Sequence, residues 1–297
     1  MYDWGKMKNI IILIPVYNDW ESLKKLILEI NNCIKNIDGF VFNCLIVNDA
    51  STVENFDLNK NNSNFKSIKI LSMDENRGHA RCNAFGIRYV CKNENFDYLI
   101  LMDGDGEDRP EEIKSFINKI KKEPDKSVVA KRVKRSEGPF FQFLYQMHKL
   151  ITLVFTGNNI KFGNYSCLTK NDVKILSDKA SLWSSFSGTV KKNLKNLNEI
   201  NSSRGVRYFG PSKMSIFNLL IHSFSIIAVF KYNVFLRSLF IVLLLYFLGN
   251  SLSVFSFFTQ ILIIIFNIII LLVSFREKKD DLINSQDNLK STKDITH

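Results

Sequence analysis

Tyr98-Leu99-Ile100-Leu101-Met102 runs directly into Asp103-Gly104-Asp105-Gly106-Glu107-Asp108. The apolar half reads as a buried strand, so the carboxylates that follow are held at the end of a sheet. Acids converging at one point repel one another unless a cation sits among them. Oxygen ligands with no histidine nearby suit a hard ion, Mg²⁺ or Mn²⁺, shared with substrate phosphates. The same stretch also reads as a solvated acidic turn, because Pro110-Glu111-Glu112 is a good helix start. The surrounding chain has to decide between the two.

From residue 8 to about 135, short apolar runs alternate with helical patterns. Strands are expected at Asn9–Ile14, Phe40–Val47, Ser67–Leu71, Tyr98–Met102 and Ser127–Ala130. Helices are expected at Trp20–Asn36, Ala80–Lys92 and Pro110–Lys122. Such alternation predicts an α/β fold, a mostly parallel sheet with helices on both faces. Ligands of these sheets bind at the carboxyl ends of the strands. Pro15-Val16-Tyr17-Asn18-Asp19, Asn48-Asp49-Ala50-Ser51 and the Asp103 cluster all fall at such ends. Three polar sets on one sheet edge favour a binding site over an incidental turn.

At 297 residues the chain is long enough for one sizeable domain and an appendage. The net charge of +11 and pI near 9.3 point to a polyanionic partner, either nucleic acid or an anionic membrane. Basic clusters occur at Lys131-Arg132-Val133-Lys134-Arg135 and Arg276-Glu277-Lys278-Lys279, without zinc-finger spacing or an RNA-binding signature. That argues against nucleic acid. Five scattered cysteines without a Cys-x-x-Cys read as reduced thiols in a cytosolic compartment. Ile10–Val16 is too short for a signal-peptide core and reads as a strand, so no cleavable export signal is expected.

Beyond residue 138 the pattern changes. Phe140, Phe141, Phe143, Leu144, Met147 and Leu150 recur at helical spacing, which reads as core packing, with a membrane-facing helix as the alternative. Gly163–Leu168 is strand-like. Ile216–Val229 is apolar but interrupted by Asn218, His222 and Ser223, as expected of an amphipathic helix on a membrane surface. Val234–Leu248 is strongly apolar, and Val254–Phe275 holds 22 residues without a charge. Both reach spanning length once Tyr232 and Asn233 are included in the first and Arg237 snorkels. With Gly249-Asn250-Ser251 as the turn, these read as a transmembrane hairpin. Lys231, Arg237, Arg276, Lys278 and Lys279 place both of its ends in the cytoplasm. Gln260 and Asn267 share a helical face and are expected to contact neighbouring helices. The polar residues that follow read as a disordered tail.

Five ordered motifs now carry a family resemblance. They are Ile14-Pro15-Val16-Tyr17-Asn18-Asp19, Val47-Asn48-Asp49-Ala50-Ser51, Asn76-Arg77-Gly78-His79 with Gly86, Met102-Asp103-Gly104-Asp105 with Pro110-Glu111, and Gly210-Pro211-Ser212-Lys213. With the hairpin behind them, the chain resembles the family-2 glycosyltransferases of GT-A fold, in their polyprenyl-phosphate branch of dolichyl-phosphate mannose synthase-like enzymes. The resemblance implies a Rossmann-like, mostly parallel sheet and four parts. These are a cytoplasmic catalytic domain over 1–213, an amphipathic interface helix over 214–230, a two-span hairpin over 231–276 and a polar, disordered cytoplasmic tail over 277–297.

The resemblance also implies site roles. Pro15, Tyr17 and Asp19 shape the base and ribose pocket, and Asp49 accepts hydrogen bonds from base or ribose. Asn76 and Gly78 lead into a helix whose amide end faces the nucleotide sugar. His79 has either a substrate-side role or a purely structural one. Asp105 is the direct ligand of Mg²⁺ or Mn²⁺, while Asp103 binds ribose or a metal-bound water. Glu107 is a third metal-side group, and Asp108 is either catalytic or a helix-start residue. His148, His222 and His297 have no such company. Lys131, Arg132, Arg135, Arg204, Arg207 and Lys213 are available to compensate an acceptor phosphate, with Arg132, Arg135 and Lys213 foremost; a solvated basic face is the other reading of Lys131–Arg135. Relatives often carry an acid and then an arginine where Asn164 and Ser166 stand.

The expected function is therefore transfer, with inversion, from a UDP- or GDP-sugar to a polyprenyl phosphate. The enzyme would be multi-pass in the inner (cytoplasmic) membrane, serving cell-envelope glycan assembly, with a homo-oligomer left open. A phosphate acceptor is already anionic and needs no general base, whereas a sugar hydroxyl needs a positioned carboxylate. The alternatives are the same fold acting on a hydroxyl of a glycan or glycolipid, with Glu107 or Asp108 as base, and a catalytically silent membrane scaffold.

Overall fold

β4 (Tyr98–Leu101) is buried along its whole length, and β1 (Lys8–Val16) pairs with it in parallel. The computed structural model describes residues 7–53, 62–134, 139–211, 215–248 and 253–295. β2 (Phe40–Asn48) and β3 (Phe65–Met73) extend the parallel set beyond β1. On the other side of β4 lie β6 (Phe162–Thr169), antiparallel to it, then β5 (Val128–Lys134) and β7 (Asn198–Ser203). With β8 (Leu289–Asp294) the eight-stranded order is β7-β5-β6-β4-β1-β2-β3-β8.

The unbroken apolar run of β1 follows from burial on both faces. Ile10, Ile12 and Ile14 pack under α1 (Trp20–Ile34) and α3 (Ile113–Lys122), against Leu23 and Phe116. Ile11 and Leu13 face α2 (His79–Asn93), α5 (Lys170–Ser177) and α6 (Phe186–Asn193), against Phe85, Val173 and Val190. Gly86 lets α2 close on the sheet, since a Cβ there would lie 2.5 Å from a Leu13 methyl. Strands and helices therefore stand where the alternation put them. The Pro110–Glu112 turn is 3-10 and leads into α3.

Two expectations fail. Residues 278–295 are not a disordered tail. α10 (Lys279–Ile283) buries Leu282 completely, and β8 adds antiparallel to the edge of β3. An edge strand offers unpaired N–H and C=O groups that any extended segment can satisfy, whatever its side chains. The helix after residue 138 is not core. In α4 (Pro139–Thr156), Phe143 is 61% exposed and Leu150 54%. The side chains of Phe140 and Phe141 lie outside the described set.

α4 packs with α7 (Ile216–Ala228), α8 (Lys231–Leu248) and α9 (Ser253–Ser274), where Phe155 and Phe224 meet Phe266 at 4.7 and 6.3 Å. The group's outer faces carry exposed Leu236, Phe240, Phe247, Phe255, Phe258 and Leu262. Among the described residues one helical stretch, Val254–Ile283, is long and apolar enough to cross a membrane. α7 and α8 reach that length only as a pair bent by 85°. Gln260 and Asn267 bond within their own helix, to Ser256 Oγ at 3.2 Å and the Ile263 carbonyl at 2.7 Å, and Ser256 in turn donates to the Leu245 carbonyl of α8 at 3.0 Å.

Phe116, fully buried, meets the Tyr165 ring edge-on at 4.8 Å, and Tyr165 donates to the Arg109 carbonyl at 2.8 Å just beyond the acidic cluster. Phe116→Ala is expected to cost about 3–5 kcal/mol, read as a lowered thermal midpoint in detergent.

Candidate functional site

The carboxyl ends of β1, β2 and β4 converge on one edge of the sheet. The first two loops interlock there. Asn18, at φ 50°, accepts from the Thr52 and Val53 amides at 2.8 and 3.1 Å, while its own amide donates to Ser51 Oγ at 2.9 Å. The Asp49 amide donates to the Val16 carbonyl at 2.9 Å, closing the loop pair. The buried Asp49 carboxylate accepts from the Arg77 and Gly78 amides at 2.7 and 2.9 Å, so it orders the loop entering α2. Pro15 ends β1, Tyr17 is exposed, Asp19 precedes α1 and Asn76 is exposed on the loop.

Beyond β4 the chain turns sharply. Gly106 has φ +86° and carries the Tyr208 ring where a Cβ would stand, while Gly104 lies under the Pro15 carbonyl. The four acids are not drawn into one ligand group; among the described residues no cluster of three or more His, Cys, Asp or Glu is arranged for a metal. Each acid has its own partner. Asp103 lies 3.1 Å from His79 Nε2 and accepts from Asn164 Nδ2 at 3.3 Å. Asp105 pairs with Arg207 Nη1 at 2.8 Å, and the other arm of that guanidinium holds Asp19. Glu107 pairs with Arg204, whose Nε lies 2.7 Å away. Asp108, 4% exposed, accepts from the Asp103 amide at 3.0 Å and faces Arg132 at 3.9 Å.

This placement sorts the carboxyls electrostatically. Burial opposes ionisation of Asp103, but the charge and hydrogen bond of His79, with Arg132 and Asn164, hold it well below the usual carboxylate range. Burial, with the charges of Asp103 and Glu107, pushes Asp105 up to about 6 despite Arg207. Burial and the Asp103 charge push Asp108 to about 7. Burial disfavours the His79 cation, yet Asp103, Asp105 and Asp108 outweigh it and raise that group. The site thus carries more negative charge than its partners neutralise. Asp103, Asp105 and Glu107 supply the hard oxygen donors that a divalent cation takes, but each is engaged by its own partner, and they would have to close together to share one.

Several predicted residues move in role. Arg132 faces Asp108 instead of open solvent. Asp108 ties down the turn through the Asp103 amide, a position between β4 and the helix start. Asn164, where an acid was expected from the family pattern, lies 2.8 Å from His79 Nε2 and beside Asp103; an acid there would add repulsion. Ser166 is buried and donates to the Asn164 carbonyl at 2.9 Å. Arg135 and Lys213 lie outside the described residues, as does His297. The strap from Ser203 to Tyr208, laid across the acids with Gly205 N–H on the Glu107 carbonyl at 2.8 Å, was legible only as scattered arginines. His222 and His148 were read as lacking company. His222 is half-buried on α7, and α7 is seated against α6, where Lys192 Nζ donates to the Val229 carbonyl at 2.7 Å.

The model of the family described as glycosyl transferase family 2 matches residues 11–184, from β1 past the acidic cluster and Asn164, short of the strap that carries Arg204 and Arg207. The chain belongs to that family. Curated relatives of this glycosyltransferase include the undecaprenyl-phosphate 4-deoxy-4-formamido-L-arabinose transferases of Salmonella paratyphi B and Salmonella typhimurium. Each is 26% identical over 227 residues, 74% of this chain and 67% of theirs. Its fold is shared with mannosyl-3-phosphoglycerate synthase from Rubrobacter xylanophilus, at TM-score 0.53 and 11% identity, over 75% of this chain and 72% of that one. It is shared also with the Mycobacterium tuberculosis glucosyl-3-phosphoglycerate synthase solved with Mn²⁺, UDP-glucose and phosphoglyceric acid, at TM-score 0.52 and 12% identity, over 79% and 84%.

The Asp108 geometry gives a stability test for the glycosyltransferase. A carboxyl whose folded value is raised destabilises the fold as pH climbs from its unfolded value, near 4, through about 7. Asp108→Asn keeps an acceptor for the Asp103 amide and removes that cost. With a chelator present, its thermal midpoint is expected to exceed that of the unaltered protein at pH 8, and the gap to close as pH falls toward 4. Asp108→Leu, which loses the acceptor, is expected to be destabilised throughout.

Proposed function

We propose that this glycosyltransferase moves a sugar, with inversion, from a UDP- or GDP-sugar to a polyprenyl phosphate at the cytoplasmic face of the inner membrane, in cell-envelope glycan assembly. The observation that carries the reading is the seating of apolar helices directly on the domain that holds the carboxylates: α7 ends against α6, where Lys192 Nζ donates to the Val229 carbonyl at 2.7 Å. A donor held on the sheet edge and a lipid arriving along α7–α9 can meet there. The curated relatives, named as undecaprenyl-phosphate sugar transferases, support the acceptor class.

In this reading α8 and α9 form the transmembrane hairpin, α7 lies on the surface and residues 1–213 stand in the cytoplasm. Lys231 Nζ pairs with Glu277 Oε2 at 3.1 Å, tying the start of α8 to the chain after α9, as a hairpin with both ends on one side requires. Pro15, Tyr17, Asp19 and Asp49 frame the nucleotide, with Asn76, Gly78 and His79 on the neighbouring loop and helix start. Asp105, with Asp103 and Glu107, would hold Mg²⁺ or Mn²⁺, which when bound supplies Lewis-acid neutralisation of the leaving diphosphate. Arg204 and Arg207 already lie against those acids and suit the same diphosphate. Arg132, and Arg135 and Lys213 beyond the described residues, are proposed for the acceptor phosphate. An oxygen of that phosphate attacks the anomeric carbon as the bond to the diphosphate breaks, and no proton has to be removed. That Glu107 is tied to Arg204 and Asp108 lies under the turn speaks against a carboxylate base, and so against a hydroxyl acceptor.

Purified protein in detergent, given undecaprenyl phosphate, a panel of UDP- and GDP-sugars and either metal, is expected to form a lipid-linked sugar with at least one donor. A chelator should abolish the product, and Asp105→Asn should lower kcat/KM about a hundredfold or more. No lipid product with any donor would sink the lipid acceptor; transfer to an added glycan instead would restore the hydroxyl reading. Turnover of any kind excludes a silent scaffold.

A further inference from the structure

The loop 74–78, between β3 and α2, is gripped from two sides. On the inner side Asp49 accepts from the Arg77 and Gly78 amides at 2.7 and 2.9 Å. On the outer side stands one residue from the end of the chain, Asn288. Its carbonyl accepts from the Asp74 amide at 2.9 Å, and its side-chain oxygen accepts from Arg77 Nη2 at 2.8 Å. Arg77 is therefore a two-way bracket, its backbone toward Asp49 and its guanidinium toward the chain terminus. Its carbonyl also accepts from Arg81 Nη1 at 3.1 Å in the first turn of α2, and Glu75 Oε1 lies 2.9 Å from Nη2.

Asn288 is itself immobilised on both flanks. Before it, Leu282 is fully buried in the core layer containing Phe85 and Trp183, and the Ile283 carbonyl accepts from Arg88 Nε at 3.3 Å. After it, β8 pairs along β3 from Met73↔Leu289 to Lys69↔Asp294, and the Ile295 amide donates to the Ile68 carbonyl at 2.8 Å. A five-residue loop with Gly78 at φ 87° has few bonds of its own, so those two fixed neighbours decide where its amides point. We propose that Lys279–Asp294, the segment following the long apolar helix, is a positioning element of the donor pocket, setting the Asp49 carboxylate through Asn288 and the Arg77 bracket. This rests on the reading of Asp49 as a donor-pocket residue. It also links that pocket by a short stretch of chain to the end of α9.

The test uses the full chain in detergent with Asn288→Ala, Asn288→Asp and Arg77→Met. Hydrogen exchange is followed in peptides covering 74–82, and UDP and GDP binding is titrated with Mn²⁺. In Asn288→Ala the Arg77 and Gly78 amides should exchange about three- to tenfold faster, the range set by losing one ordinary hydrogen bond, while β1 and β4 peptides stay unchanged. Asn288→Asp, still an acceptor for Arg77, should restore protection. Arg77→Met should match Asn288→Ala, and the double variant should add nothing further. Nucleotide affinity should fall by a similar factor, with donor KM raised and kcat at saturating donor unchanged. Unchanged exchange at Arg77 and Gly78 in Asn288→Ala overturns the proposal. So does equal loosening of β1 and β4, which would make the segment a cover for the sheet edge alone. Should the exchange pattern appear while neither nucleotide binds the unaltered protein, the donor reading of the pocket fails and the positioning of Asp49 stands.

Discussion

Four carboxyl groups within six residues, all of them mostly out of water, impose the constraint on which the remainder of this structure depends. Burying ionised acids together is costly unless each finds a positive or donating partner. The partners come from separate parts of the chain: His79 from α2, Asn164 from β6, Arg132 from β5, and Arg204 and Arg207 from the strap after β7. The sheet order that sets β6, β5 and β7 on one side of β4 brings these groups to a single edge. Fold and site are in this sense one electrostatic solution.

The solution is incomplete, and the incompleteness is chemically useful. Asp105 remains raised to about 6 with Arg207 beside it, so a further positive charge is favoured at that point. A guanidinium is a diffuse cation that pairs equally well with carboxylate and phosphate oxygens. Arg204 and Arg207 can therefore exchange acids for a diphosphate without leaving the site. The acids that might have served as bases are committed elsewhere, which suits an acceptor that arrives already ionised. The apolar faces of α4 and α7–α9 then fit the proposed lipid, since exposed aromatic and aliphatic surface of that extent is not expected against water.

The strands, the helices over both sheet faces and the three strand-end motifs were legible because they depend on local periodicity and on burial of whole segments. The failures have a common cause. The terminal residues looked disordered because their side chains are polar, yet β8 is held by backbone hydrogen bonds that composition does not record. The α4 stripe looked like core because apolar spacing is the same whether the facing medium is protein or lipid.

What the chain determined by itself is the kind of architecture: carboxylates at strand ends, a polar loop pair on the same edge, and a run of apolar helices after the sheet. These follow from residue type and short-range order. Tertiary structure alone decided which acid meets which cation, that Asp108 lies under the turn while Asp105 faces the strap, and that Asn288 reaches Arg77 from 211 residues away. The physical reason is that Coulomb and hydrogen-bond energies depend on distances of a few ångströms between groups. Those distances exist only once the sheet has closed.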